Sequence, residues 1–96
     1  MYDPFPASRR AALDADLIPF GWNERIASGF TRFEHTTTIP GRVIRVDRGG
    51  FLAVTGRGPV SCIPSTTEEG RPVTGDWVAL RDVPGYGIDL AGILPR

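Results

Sequence analysis

The sequence predicts a mainly β fold: a small antiparallel barrel of five strands, preceded by a helical arm. Three observations carry this. From Gly41 onward five short runs, "RVIRV", "FLAVT", "VSCIP", "DWVALR" and "GIDLAGIL", are rich in Val, Ile, Leu and aromatic residues. The intervals between them, "DRGG", "GRGP", "STTEEGRPVTG" and "DVPGYG", have turn-forming composition and leave no room for a crossover helix. Before Pro40, the apolar residues fall instead at helical spacing. A chain of 96 residues makes one domain with one core. It divides into an arm, 1–39, and a barrel, 40–96. Five short strands at this spacing make the OB-fold the natural architecture, with an SH3-like barrel as the alternative.

Taken in order, "SRRAALDADL" places Ala11, Leu13 and Leu17 at roughly helical spacing behind a Ser8 cap. Asn23 is an N-cap for a second helix, in which Ile26, Phe30 and Phe33 lie on one face. Trp22 stands where it can staple that helix start from outside, and Gly29 weakens the helix inside the pattern. "EHTTTIPG" reads as a loop. In the barrel, "DRGG" and "DVPG" match a short Asp-x-x-Gly pattern found beside nucleotide phosphates. Chance accounts for such matches in so Gly-rich a chain, and both sit where hairpin turns are needed. Ser65 and Glu68 have capping-box spacing, but no apolar run follows, so one helical turn is the most expected there. Trp77 alternates with Val78 and Leu80, which makes one of those two faces core and favours Trp77 as a packing residue.

Composition excludes several functions. Eleven basic residues balance eleven acidic ones, so no net field draws the chain to a polyanion or membrane. All the basic residues are arginine, and a phosphate-binding P-loop needs a lysine. Cys62, the lone cysteine, lies in an apolar run and reads as a small buried hydrophobe. His35 has no second ligand at metal-binding spacing, and Ser61, Ser65 and the threonine run have no positioned base. Glu68 and Glu69 are adjacent in a polar loop, which suits a solvated turn. No catalytic residue and no metal or cofactor site is expected in the chain. No apolar run reaches about 18 residues, and the first ten lack the order of a secretion signal, so the expected location is the cytoplasm.

The arginine distribution remains. "GRVIRVDRGG" carries Arg42, Arg45 and Arg48 against Asp47, and Arg57 follows in the next turn. On an OB barrel, the second and third strands, with the loops joining strands one to two and four to five, form the usual oligonucleotide face. Arg42, Arg45, Arg48, Gly49, Phe51, Arg57, Arg81 and Tyr86 are therefore the candidate RNA contacts. The plainer alternative is that the arginines are solvated strand exteriors and Phe51 is core. Arg45, Arg48 and Arg57 are expected at one end or along one face of the barrel.

"FGWN" (Phe20 to Asn23), "PGRVIRVDRG" (Pro40 to Gly49), "PVTGDWVAL" (Pro72 to Leu80) and "ILPR" (Ile93 to Arg96) occur in an order and spacing similar to one family. They resemble the N-terminal domain of the ribosome small subunit-dependent GTPase A family, over nearly the whole chain. The resemblance implies an OB domain whose "ILPR" leads into a circularly permuted GTPase domain and then a zinc-binding domain. GTP, magnesium and zinc would belong to those later parts. It implies a role in late maturation of the small ribosomal subunit, with the OB domain touching ribosomal RNA through Asp47 to Gly50. The implied partners are the small subunit, its RNA and the protein's own GTPase domain, with no membrane. The short "MYDPFPASRR" departs from the longer basic tails common in that family. A second reading is a structural or regulatory barrel that contacts its own GTPase domain or protein partners; a free-standing enzyme is the third.

Overall fold

The computed structural model describes residues 16–33, 38–64 and 70–95. Five strands close into a barrel in the order β1-β2-β3-β5-β4. They are β1 (Thr38–Asp47), β2 (Gly50–Thr55), β3 (Gly58–Cys62), β4 (Trp77–Val83) and β5 (Gly87–Ile93). Four neighbouring pairs are antiparallel, as expected of an OB-like barrel. The closing pair corrects the all-antiparallel expectation: β3 and β5 run parallel, joined at Cys62 and Ile88. The Ile63 amide donates to the Ile88 carbonyl, 2.9 Å away, and extends this seam. No local pattern announces a pair of strands that meet only when a sheet curls on itself.

β1 also starts earlier than expected. Thr38–Pro40, read as loop, pairs with Arg81, Leu80 and Ala79 of β4. Pro40 has no N–H to give to a ladder. Pairing of β1 with β2 begins only at Arg42, so the missing donor interrupts no bond on that side. The long strand thus changes partner midway, from β4 to β2. A bulge between Val43 and Arg45 bends it at this point. A second bulge, between Ala79 and Leu80, shifts the β4–β5 register so that both Leu90 and Ile93 turn inward.

The core has two compartments. Inside the barrel lie Val43, Phe51, Ala53, Val78, Leu80 and Leu90 among others. Outside it, Leu17, Ile26 and Phe30 of the arm bury Val54, Trp77 and Ala79. The residues Trp77 to Leu80 of β4 are therefore buried on both faces, which corrects the expectation that only one face is core. Trp77 is packing, as expected, but on the arm side of the sheet.

In the arm, helix α1 (Glu24–Phe30) starts at Asn23, whose Oδ1 accepts the Ile26 amide at 3.0 Å, and Ile26 and Phe30 are buried. Phe33 follows in a 3-10 turn and is half-buried. The Trp22 ring meets Phe30 and Trp77 edge to face, with centroids 6.2 and 5.3 Å apart, and so fastens the arm to the barrel. Gly29 faces Leu94 and Pro95, where the helix lies against the chain leaving β5. The helix read over Ser8 to Leu17 lies outside the described residues apart from Asp16 and the buried Leu17. His35 and the Ser65–Glu68 spacing also lie outside them. Among the described residues, no helix is long and apolar enough to cross a membrane.

Cys62 is buried, with 4% of its surface exposed, at the barrel seam. Burial, then the nearby Asp89 carboxylate, pushes its thiol from 9.0 up to about 11. An unfolded chain releases this proton near 9.0, whereas the fold holds it until about 11. The contribution of the neutral thiol to stability is thus complete below 9.0 and is lost as pH rises through about 11. Urea midpoints of the wild type and Cys62→Ala are expected to respond differently across that window, with the wild type losing on the order of 2 kcal/mol more. Parallel pH profiles would refute this.

Candidate nucleic-acid interface

The β1–β2 turn is built by Asp47. Its Oδ1 accepts the Gly49 amide at 2.9 Å, and its Oδ2 lies 3.7 Å from Arg45 Nε. Both partners of that ion pair are exposed, so it orders the turn more than it stabilises the fold. Arg48 and Gly49 form the exposed tip. Among the described residues, Arg48 has no hydrogen bond or ion pair.

The other sequence candidates divide. Phe51 is 5% exposed and sits in the barrel core, so its ring is not available to stack on a base. Arg42 is half-buried and faces the arm. Its Nη1 donates to the Phe20 carbonyl, its Nε to the Gly75 carbonyl at 3.3 Å, and its guanidinium lies 5.7 Å from the Trp77 ring centroid. Those contacts tie the arm, at Phe20, to the barrel. Arg57 lies in the β2–β3 turn, at the other end of β2 from Arg48, roughly 17 Å of strand away. Arg45 and Arg48 therefore share one end, and Arg57 does not join them. Consecutive hairpin turns fall at opposite ends of the strand they share, and this separates them.

Arg81 pairs with Asp89 across the β4–β5 ladder at 3.3 Å. Tyr86, in the following turn, is 78% exposed. Since β3 stands between β2 and β5, the β1–β2 and β4–β5 turns lead into the two strands that flank it. Both Asp-x-x-Gly stretches are turns, as read.

The structure adds a residue that sequence reasoning passed over. Arg71 joins Arg48 on the rim of a groove of about 410 Å³, lined also by Val46, Asp47, Gly50, Phe51, Pro64 and Pro72. Arg71 is exposed and, among the described residues, has no hydrogen bond or ion pair. The only signal for it was an arginine between Gly70 and Pro72 in a segment that reads as turn. Chemically, this end of the barrel offers two guanidinium groups above an apolar wall, a setting suited to an anionic ligand with an apolar part.

These features define an OB-like barrel domain with a clasped helical arm and an arginine-rimmed end. The chain is 32% identical over 88 residues to the "Small ribosomal subunit biogenesis GTPase RsgA" of Syntrophotalea carbinolica, a match over 84% of this chain and 24% of that protein. It is 35% identical over 68 residues to the proteins of the same name from Streptomyces coelicolor and Streptomyces avermitilis, covering 67% of this chain and 19% and 18% of theirs. The chain belongs to this RsgA family. It spans about a quarter or less of the length of the curated relatives it matches. No family model and no solved structure matches it.

Proposed function

We propose that this domain docks a GTPase of small-subunit biogenesis, in the cytoplasm, onto the RNA of the small ribosomal subunit. The observation that carries the reading is the pair Arg48 and Arg71, exposed on one rim and uncommitted among the described residues. Arg45, near the end of β1, is tied to the same turn through Asp47, Gly49 lies in it, and Arg81 of β4 and Tyr86 of the β4–β5 turn add to the candidate surface. With zero net charge, the domain neutralises few phosphates, and its share of the affinity is modest. On this reading, GTP chemistry, with its magnesium, and any zinc site would lie outside the stretch that this chain shares with its longer relatives.

The test compares Arg48→Ala with Arg57→Ala in binding to isolated small subunits across a salt series. Both remove one charge, but from opposite ends of β2. Arg48→Ala is expected to weaken binding and lower the salt slope by about one unit, if Arg48 meets one phosphate. Arg57→Ala is expected to do less. Equal losses would show a diffuse charge effect and sink the localised reading.

A separate observation favours the protein-facing alternative for another surface. Ile18, Phe20 and Ile44 are 62%, 43% and 42% exposed, and Phe20 and Ile44 line one shallow apolar depression. That patch suits contact with the protein's own GTPase domain. Small-subunit binding that ignores salt and both arginine changes, yet is lost with Phe20→Ser, would favour this reading.

A further inference from the structure

The groove at the end of the barrel is continuous with the barrel interior. Val46 and Phe51 are directly opposed on β1 and β2, so their side chains share one face of the sheet. Phe51 is buried on that face, while Val46, near the strand end, keeps 45% of its surface exposed. The interior surface therefore runs out to solvent here. Pro64, just beyond β3, and Pro72, on the approach to β4, add apolar wall that has no N–H to satisfy. Its volume of about 410 Å³ is that of a small-ligand cleft, and barrel mouths are favoured places for such clefts.

The rim selects among occupants. Arg48 and Arg71 are uncommitted among the described residues. Asp47, the acid on this lining, is turned to the Gly49 amide and Arg45 and does not neutralise them. A flat apolar body joined to phosphate answers both features. A base inside a duplex keeps its faces in the stack and presents only edges, so a paired base has nothing to insert.

We propose that this groove takes one unpaired nucleotide of an RNA strand, its base against the apolar wall of Val46, Pro64 and Pro72 and its phosphates on Arg48 and Arg71. The proposal rests on the RNA-docking reading and names the kind of RNA that reading leaves open. Such a site directs the domain to bulges and loops and away from regular helix.

Fluorescence anisotropy of the chain with three RNA hairpins sharing one stem tests it. One carries a single bulged nucleotide, one is abasic at that position, and one is fully paired. The bulged hairpin is expected to bind about tenfold tighter than the other two, as insertion of one base against an apolar wall implies. Val46→Trp, which fills the groove, is expected to reduce the bulged affinity to the paired value. Arg71→Ala is expected to weaken all three and lower the salt slope. Equal binding of the three hairpins, with Arg48→Ala still weakening each, would overturn the groove assignment and leave docking intact. Competition by a free nucleoside monophosphate as effective as the bulged hairpin would overturn it in favour of a free-nucleotide site. Binding to none of the RNAs at low salt would remove the docking reading, and this inference with it. Should Val46→Trp fail to fold, the bulged and abasic hairpins on the unaltered chain decide the matter.

Discussion

Gly50→Ala is expected to destabilise the domain by about 4 kcal/mol, enough to unfold much of a small domain's population. Gly50 opens β2 directly after the Arg48–Gly49 turn, with φ at +130°, a conformation that side chains rarely adopt. A methyl group there would also overlap the carbonyl oxygen of Cys62. That oxygen is backbone at the seam where β3 meets both β2 and β5, so it has no freedom to retreat. Strain and overlap each contribute on the order of 2 kcal/mol. Urea denaturation of Gly50→Ala and Gly85→Ala separates the two effects. Gly85 also has positive φ, at +85°, but nothing lies within 4 Å of an added methyl. A Gly50→Ala midpoint as high as that of Gly85→Ala would disprove the overlap argument.

Trp77→Ala is expected to cost about 3–5 kcal/mol and to loosen the arm from the barrel. The indole touches Trp22, lies under the Arg42 guanidinium, and belongs to the apolar cluster that includes Leu17, Phe30 and Leu94. Removing it takes away the surface against which the arm is held, while the barrel interior of Val78 and Leu80 stays intact. The expected signature is specific. Trp22 becomes the sole indole, and its emission should shift to the red as its ring reaches water. Thermal melting should show the arm releasing before the strands. A variant that lost stability with Trp22 emission unchanged would show that the arm does not depend on this contact.

The strands and turns were largely legible because their causes are local. A short apolar run and Asp- and Gly-bearing turns mark β2 and the two hairpins around it. The Asn23 cap is equally local, since its acceptor and the Ile26 amide are three residues apart. The β1–β2 turn with Arg45, Arg48 and Gly49 was found for the same reason. Phe51 was not resolved as core or contact, because an aromatic at a strand start suits either role until a partner is known. Its partner is Cys62, and both lie inside the barrel.

From residue order alone came the class of fold, the place of the arm before it, the turn chemistry and the exclusion of a P-loop from an all-arginine chain. Each depends on periodicity, composition or contacts within a few residues. The parallel seam, the double burial of β4, the diversion of Arg42 to the arm and the meeting of Arg48 with Arg71 arose from closure of the sheet. Gly92 shows why: the Phe33 ring occupies the space where a side chain would stand, so the glycine makes sense only once the arm is in place. Such contacts join residues far apart in sequence, and their energy appears only after the loops between them have closed. No local pattern carries that information, and the placement of both arginines on one groove rim is among its consequences.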